Sequence, residues 1–322
     1  MNENVKKRFA AAALGLVLVL NIFTGCGSGD SDNGKIDVSD SEKSSMSGGS
    51  AAVATTLMPE ASGTVTDGNS DVTIDMSNTS DGYFMVDYLT QTDKRLKLSV
   101  KGPSGTAYTY NITQIGAYET FPFSDGSGTY TIGVYQNVSG NSYSSVFSTT
   151  ADVSLKDEFA PFLLPNQYVN YTKESKVVKK AAELVSGDST DLERIQSIYT
   201  WVVENVTYDT EKAATVESGY LPDVDEILES KKGICFDYAA LMASMLRSQD
   251  IPCKLVVGYA GTAYHAWIDA YTSETGWVNN VIYFDGNEWK LMDPTFASSG
   301  NESEEVMEYI GDGSNYTEKY LY

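Results

Sequence analysis

Three residues in this sequence have side chains and surroundings suited to nucleophilic chemistry: Cys235, His265 and Asp293. Cys235 lies in GICFDYAALMASMLRS, Gly233 to Ser248. Ala239, Leu241, Met242, Met245 and Leu246 recur there at three- and four-residue spacings, which predicts an amphipathic helix with Cys235 in its first turn. Free backbone N–H groups and the positive helix end favour a thiolate at that position. The same address also suits a buried, inert cysteine. His265 is the sole histidine, so a histidine base has one candidate and a catalytic zinc site built on several histidines is excluded. In AYHAWIDAY, strand alternation puts His265, Trp267 and Asp269 on one face. Burial beside Trp267 would give His265 a purely structural role. Asp293, in KLMDPTF, precedes the rigid Pro294. A carboxylate there can hold an imidazole and fix its tautomer, or simply cap the turn.

These residues need elements to position them. Val177, Val178, Ala181, Ala182 and Val185 mark one face of a helix over 173–185, ended by Gly187. Thr190-Asp-Leu-Glu193 reads as a capping box. It opens a helix that carries Trp201 and ends near Asn205, and Tyr208-Asp209 then starts a loop. A second capping box, Asp223 to Glu226, opens a short helix leading to Gly233. Ile251-Pro252 stops the cysteine helix. Strands are predicted over 253–259, 265–271, 276–284 (with a break at Asn279-Asn280) and 288–292. Asp285-Gly286-Asn287 joins the last two as a hairpin. The fold class of this half is α+β, helices packed on an antiparallel sheet.

The chain upstream is of a different kind. Lys6, Lys7 and Arg8 precede an apolar run from Phe9 to Leu20, which makes residues 1–25 a secretory signal rather than a spanning helix. Its ending, FTGC, is similar to the lipobox of bacterial lipoproteins. That resemblance implies cleavage before Cys26, lipidation of its sulfur and an extracytoplasmic, lipid-anchored place in the bacterial cell envelope. Residues 26–69 are rich in Ser, Gly and Asp and read as a disordered tether. Residues 70–155 alternate in short runs and predict an all-β sandwich of about seven strands. Its tyrosines are read as strand formers on sheet faces rather than as a binding surface.

Composition narrows the partners. With 22 Lys+Arg against 44 Asp+Glu the net charge is −22, which excludes nucleic acid as a partner. The cysteines are Cys26, Cys235 and Cys253. A Cys235–Cys253 disulfide would silence the nucleophile, and the predicted helix and strand give the two thiols separate places. No calcium-binding loop pattern is present, so neither a metal nor another cofactor is expected.

The blocks GICFDYAALMASMLRSQDIPCKLVVGY, HAWIDAY and WKLMDPTF, in this order, resemble the transglutaminase-like superfamily, as does WVVENVTYDT upstream. The resemblance runs from about Ser175 to Phe296 and implies a papain-like catalytic domain over 166–322. It implies Cys235 as nucleophile, His265 as general base and acid, and Asp293 as orienter. The Cys235 N–H, with Tyr208 or Trp201, is then the candidate oxyanion donor, and Trp267 a candidate cleft wall. The implied activity is a surface-anchored thiol enzyme acting on peptide or protein amides through a thioester, foremost a peptidase or amidohydrolase, with cell-wall peptide among the candidate substrates. Two alternatives stay open: a protein-glutamine gamma-glutamyltransferase that crosslinks, and a non-catalytic binding or scaffold lipoprotein. The oligomeric state is left open.

Overall fold

Alternating apolar residues upstream of the helices build two four-stranded antiparallel sheets. The computed structural model describes residues 56–273, 275–278, 282–284, 289–291, 295 and 315–322. The signal, Cys26, Asp293 and the tether up to residue 55 lie outside the described residues, whereas Thr66–Gly68, expected within the disordered tether, pair as an edge strand of the first sheet. The first sheet has the order β1-β2-β3-β6, from β1 (Thr66–Gly68), β2 (Val72–Asp75), β3 (Tyr83–Tyr88) and β6 (Glu119–Pro122). The second has the order β5-β4-β7-β8, from β4 (Leu96–Lys101), β5 (Ala107–Ile112), β7 (Gly128–Ser139) and β8 (Ser142–Val153). Leu96, Leu98 and Val100 on β4 and Tyr130, Ile132 and Val134 on β7 are buried, as their alternation requires. Tyr110 meets Phe121 edge-on at 5.0 Å, joining the two sheets. Tyr83, Tyr88, Tyr108, Tyr110 and Tyr130 are buried, so most of the sandwich tyrosines are core.

The helices follow their end signals. Helix α1 (Lys176–Leu184) buries Val177, Val178 and Ala181. Helix α2 (Asp191–Asn205) has both halves of its capping box: Thr190 Oγ1 accepts the Glu193 N–H at 3.2 Å, and Glu193 Oε2 accepts the Thr190 N–H at 3.0 Å. The short helix α3 (Thr210–Thr215) was not expected; Asp209 caps it, accepting the N–H groups of Glu211 and Lys212. Helix α4 (Val224–Ser230) is capped by Asp223. The Asp225 carboxylate accepts the Lys176 and Val177 N–H groups, tying α4 to the start of α1.

Helix α5 (Cys235–Arg247) departs from the amphipathic expectation, for every residue from Asp237 to Arg247 is buried. A sheet packs on one side of it and α1, α2 and α4 on the others, so it is enclosed all round, its polar Asp237, Ser244 and Arg247 included. It also ends sooner than Pro252 alone would dictate. Asp250 turns to φ 61° and the Ile251 N–H closes onto the Leu246 carbonyl.

The sheet beside α5 has the antiparallel order β13-β12-β11-β16, from β11 (Cys253–Ala260), β12 (Ala263–Thr272), β13 (Gly276–Val278) and β16 (Tyr316–Leu321). Ala266, Ile268 and Ala270 of β12 belong to the core that α5 fills. β14 (Ile282–Phe284) and β15 (Trp289–Leu291) form the expected hairpin. Strand β16 had no prediction. It reaches β11 because Gly258 has no side chain: a Cβ there would stand 2.1 Å from the Thr317 carbonyl oxygen.

One hydrophobic core runs from Val72 in the sandwich to Tyr322. Tyr322 touches Tyr108, Tyr110 and Tyr168 with ring centroids at 5.7, 5.7 and 4.5 Å. The described residues from 56 to 322 belong to a single compact unit, so the β and α+β architectures are halves of one body.

Candidate active site

The approach to Cys235 is held by a short parallel pairing. β9 (Thr207–Tyr208) lies beside β10 (Lys232–Gly233), with Gly233 opposite Tyr208. Gly233 is required by space: a Cβ there would lie 2.5 Å from the Cβ of Asp237. Ile234 then takes an extended conformation, and Cys235 opens α5 as its first residue. Cys235 is half-buried and unpaired with Cys253, which is fully enclosed. Burial pushes the Cys253 thiol up to about 12, so it stays protonated and plays no nucleophilic part.

Asp237 sits one turn in, with 0 % of its surface exposed. Its Oδ2 accepts the Ile234 N–H at 2.9 Å, half of a capping box whose other half an isoleucine side chain cannot supply. The Tyr220 hydroxyl donates to Oδ1 at 2.6 Å, and Lys212 Nζ lies 2.6 Å from Oδ2. Lys212 also donates to the Tyr220 oxygen at 2.6 Å and stands 4.3 Å from its ring centroid. Burial first, then the bond to Asp237, raises the Tyr220 phenol above its usual value, so it remains a donor. This cluster ties segment 210–221 to the mouth of α5. Asp237 stands within the Gly233 to Ser248 motif, but its partners Tyr220 and Lys212 are distant in sequence and carry no local signal.

His265 lies near the start of β12, opposite Gly258, and is 7 % exposed. Its ring stacks on Trp267 at 6.2 Å with 24° between planes, and Tyr316 approaches at 6.5 Å. Cys235 and His265 line the same cavity, of about 540 Å3. Tyr208, Tyr220, Phe236, Tyr264 and Tyr322 line it too. Of the candidates for donor or cleft wall, Tyr208 thus borders the cavity. Trp267 does not: it packs behind His265, edge-on to Tyr316 at 5.2 Å. Nor does Trp201, whose ring is taken up by Lys180 at 5.3 Å and Lys231 at 6.0 Å. Tyr168 and Tyr264 had no assigned role; Tyr264 could have been flagged as the neighbour of His265, whereas Tyr168 carried no signal.

A thiol at a helix N-terminus and an imidazole on the lining of one cavity with aromatic walls are suited to acyl transfer. Residues 178–294 match the family model described as the Transglutaminase-like superfamily. The chain carries a transglutaminase-like domain. It is 28 % identical over 127 residues to the mouse (Mus musculus) kyphoscoliosis peptidase, covering 39 % of this chain and 19 % of that protein. It is 28 % identical over 120 residues to the protein-glutamine gamma-glutamyltransferase of Pseudomonas aeruginosa, covering 33 % and 16 %. The chain therefore spans less than a fifth of the length of these relatives. Among solved structures, red sea bream transglutaminase is similar at a TM-score of 0.31 and 11 % identity, over 71 % of this chain and 53 % of that one.

Proposed function

We propose that this protein is a surface-anchored thiol hydrolase of peptide or protein amide bonds. The observation that carries the reading is that Cys235, at the first residue of α5, and His265, the sole histidine, border one cavity. His265 takes the proton of the Cys235 thiol, the thiolate attacks the amide carbonyl carbon, and the electron pair of the C=O moves to oxygen. Donors at the helix mouth, the Cys235 N–H and then Tyr208, are the groups that meet the oxyanion. Collapse breaks the C–N bond, and His265 gives its proton to the leaving amine. Water then loses a proton to His265 and attacks the thioester; the C–S bond breaks, releasing a carboxylic acid, and His265 returns the proton to the Cys235 sulfur. Asp293 is the proposed orienter of His265. The kyphoscoliosis peptidase similarity supports hydrolysis. Transfer to an amine is the second reading, supported by the gamma-glutamyltransferase similarity. Anchoring follows from the FTGC sequence and lipidation of Cys26.

Turnover of a peptide library, run with and without a primary amine, tests this directly. Cys235→Ala and His265→Ala should each lose at least about 100-fold of the activity. Release of free acid with the amine present favours hydrolysis, and incorporation of the amine favours transfer. Full activity in both variants would end the proposal.

A further inference from the structure

The sandwich reaches the cavity. Asn111, at the end of β5, lines it together with Tyr168 from the segment that links the two halves. Gln167 fixes that segment, donating through Nε2 to the Asn111 carbonyl at 2.6 Å and to Glu119 at 2.7 Å. Tyr168 then lies stacked on Tyr110 of the sandwich core at 5.6 Å and meets Phe236, the neighbour of Cys235, at 5.4 Å. An aromatic row thus runs from the sandwich core to the nucleophile. The facing wall is segment 210–221, which supplies Val216 and Leu221. It packs on the sandwich so closely that a Cβ at Gly219, where φ is +94°, would lie 2.9 Å from Asn111 Nδ2. Tyr264 stands at the mouth with 61 % of its surface exposed.

We propose that the sandwich is part of the substrate cleft and that, with Tyr168 and segment 210–221, it forms a subsite beside Cys235 for a large apolar or aromatic side chain of a peptide. The proposal rests on Cys235 being the nucleophile, as set out above. Size supports it: a cavity of about 540 Å3 falls in the range of roughly 300–1,000 Å3 that encloses a small ligand. Chemistry supports it too, because aromatic and aliphatic side chains gain most from leaving water in such walls. Among the described residues, Glu217 is the one side-chain carboxylate on the lining, and the chain carries a net charge of −22, so an acidic side chain is disfavoured.

The test uses five peptides that differ only in the residue next to the attacked amide: Phe, Leu, Ala, Lys and Glu. Binding is measured to the full chain carrying Cys235→Ala, and kcat/KM is measured with the unsubstituted chain. The Phe and Leu peptides should bind about tenfold or more tightly than the Ala peptide, with Glu weakest. Asn111→Tyr should bring the Phe and Ala peptides within about threefold of each other, and Asn111→Ala should move the preference further towards Phe over Leu. Equal binding of all five overturns the subsite, and so does a preference for Lys, which would give the cavity to Glu217. A preference unmoved by both Asn111 variants removes the sandwich from it. Side-chain preference in binding without turnover leaves the subsite standing and defeats the hydrolase reading; turnover without preference does the reverse.

Discussion

Cys235 and Cys253 are the two described thiols, and their surroundings make them opposites. Cys235 opens a helix at a cavity, whereas Cys253 is enclosed on β11 and held protonated by burial, its value pushed up to about 12. At pH 8 a thiol of that value is ionised to roughly one part in ten thousand. Iodoacetamide should therefore modify Cys235 in the native protein and reach Cys253 only after urea unfolding, as peptide mapping would show. Comparable labelling of both in the folded protein would contradict the burial argument. The positions of Cys235 and His265 were legible because their signals are local: a glycine that leaves room, an apolar run, a two-residue alternation. Asp237 was legible as a residue but not as a node, since its partners Tyr220 and Lys212 come from a segment with no pattern of its own. Trp201 was placed near the cleft on residue type alone, and type does not tell which way a helix turns its aromatic face.

At the scale of elements, the latch between α5 and segment 210–221 makes a stronger claim than any single contact. Tyr220→Phe removes one donor from a buried carboxylate and should cost about 1–2 kcal/mol. Asp237→Ala strands a lysine, a phenol and a backbone N–H together. It should cost roughly 2–3 kcal/mol, a value moderated because Lys212 reaches solvent. Urea midpoints would show the ordering, and both variants should raise KM as the cavity wall loosens. Unchanged KM in both would mean that the segment is not held in place by this cluster. The capped helices were readable in advance, because Thr190, Asp223 and their downstream acids are end signals. Strand β16 and helix α3 were not. TEKAAT has no apolar stripe and depends on the Asp209 cap, and β16 depends on a close approach to Gly258 that appears in no linear pattern.

The described residues share one core, with buried tyrosines where the sandwich meets the α+β half. Burial raises Tyr108 and Tyr168 from the ordinary 10.0 to about 12, as it raises Cys253 from 9.0 to about 12. Each of these groups keeps its proton to higher pH when folded than when unfolded. The native state therefore binds more protons between about pH 9 and 12, and stability falls as pH rises through that window. The urea midpoint should be constant from pH 7 to 8.5 and drop steadily by pH 11; a flat profile to pH 11 would mean that these groups are not enclosed. The division into a β half and an α+β half was legible from the change of period along the chain. Their fusion into one core was not, because Tyr108, Tyr110, Tyr168 and Tyr322 meet only in three dimensions.

The central claim is that Cys235 carries an acyl group during turnover, with His265 moving the protons. Acid quenching during turnover of a peptide substrate, followed by mass analysis of the digested protein, tests it most directly. The account predicts an added acyl mass on the peptide containing Cys235, absent in Cys235→Ala and formed at least about 100-fold more slowly in His265→Ala. Turnover that continues with Cys235 unmodified at every time point would contradict it.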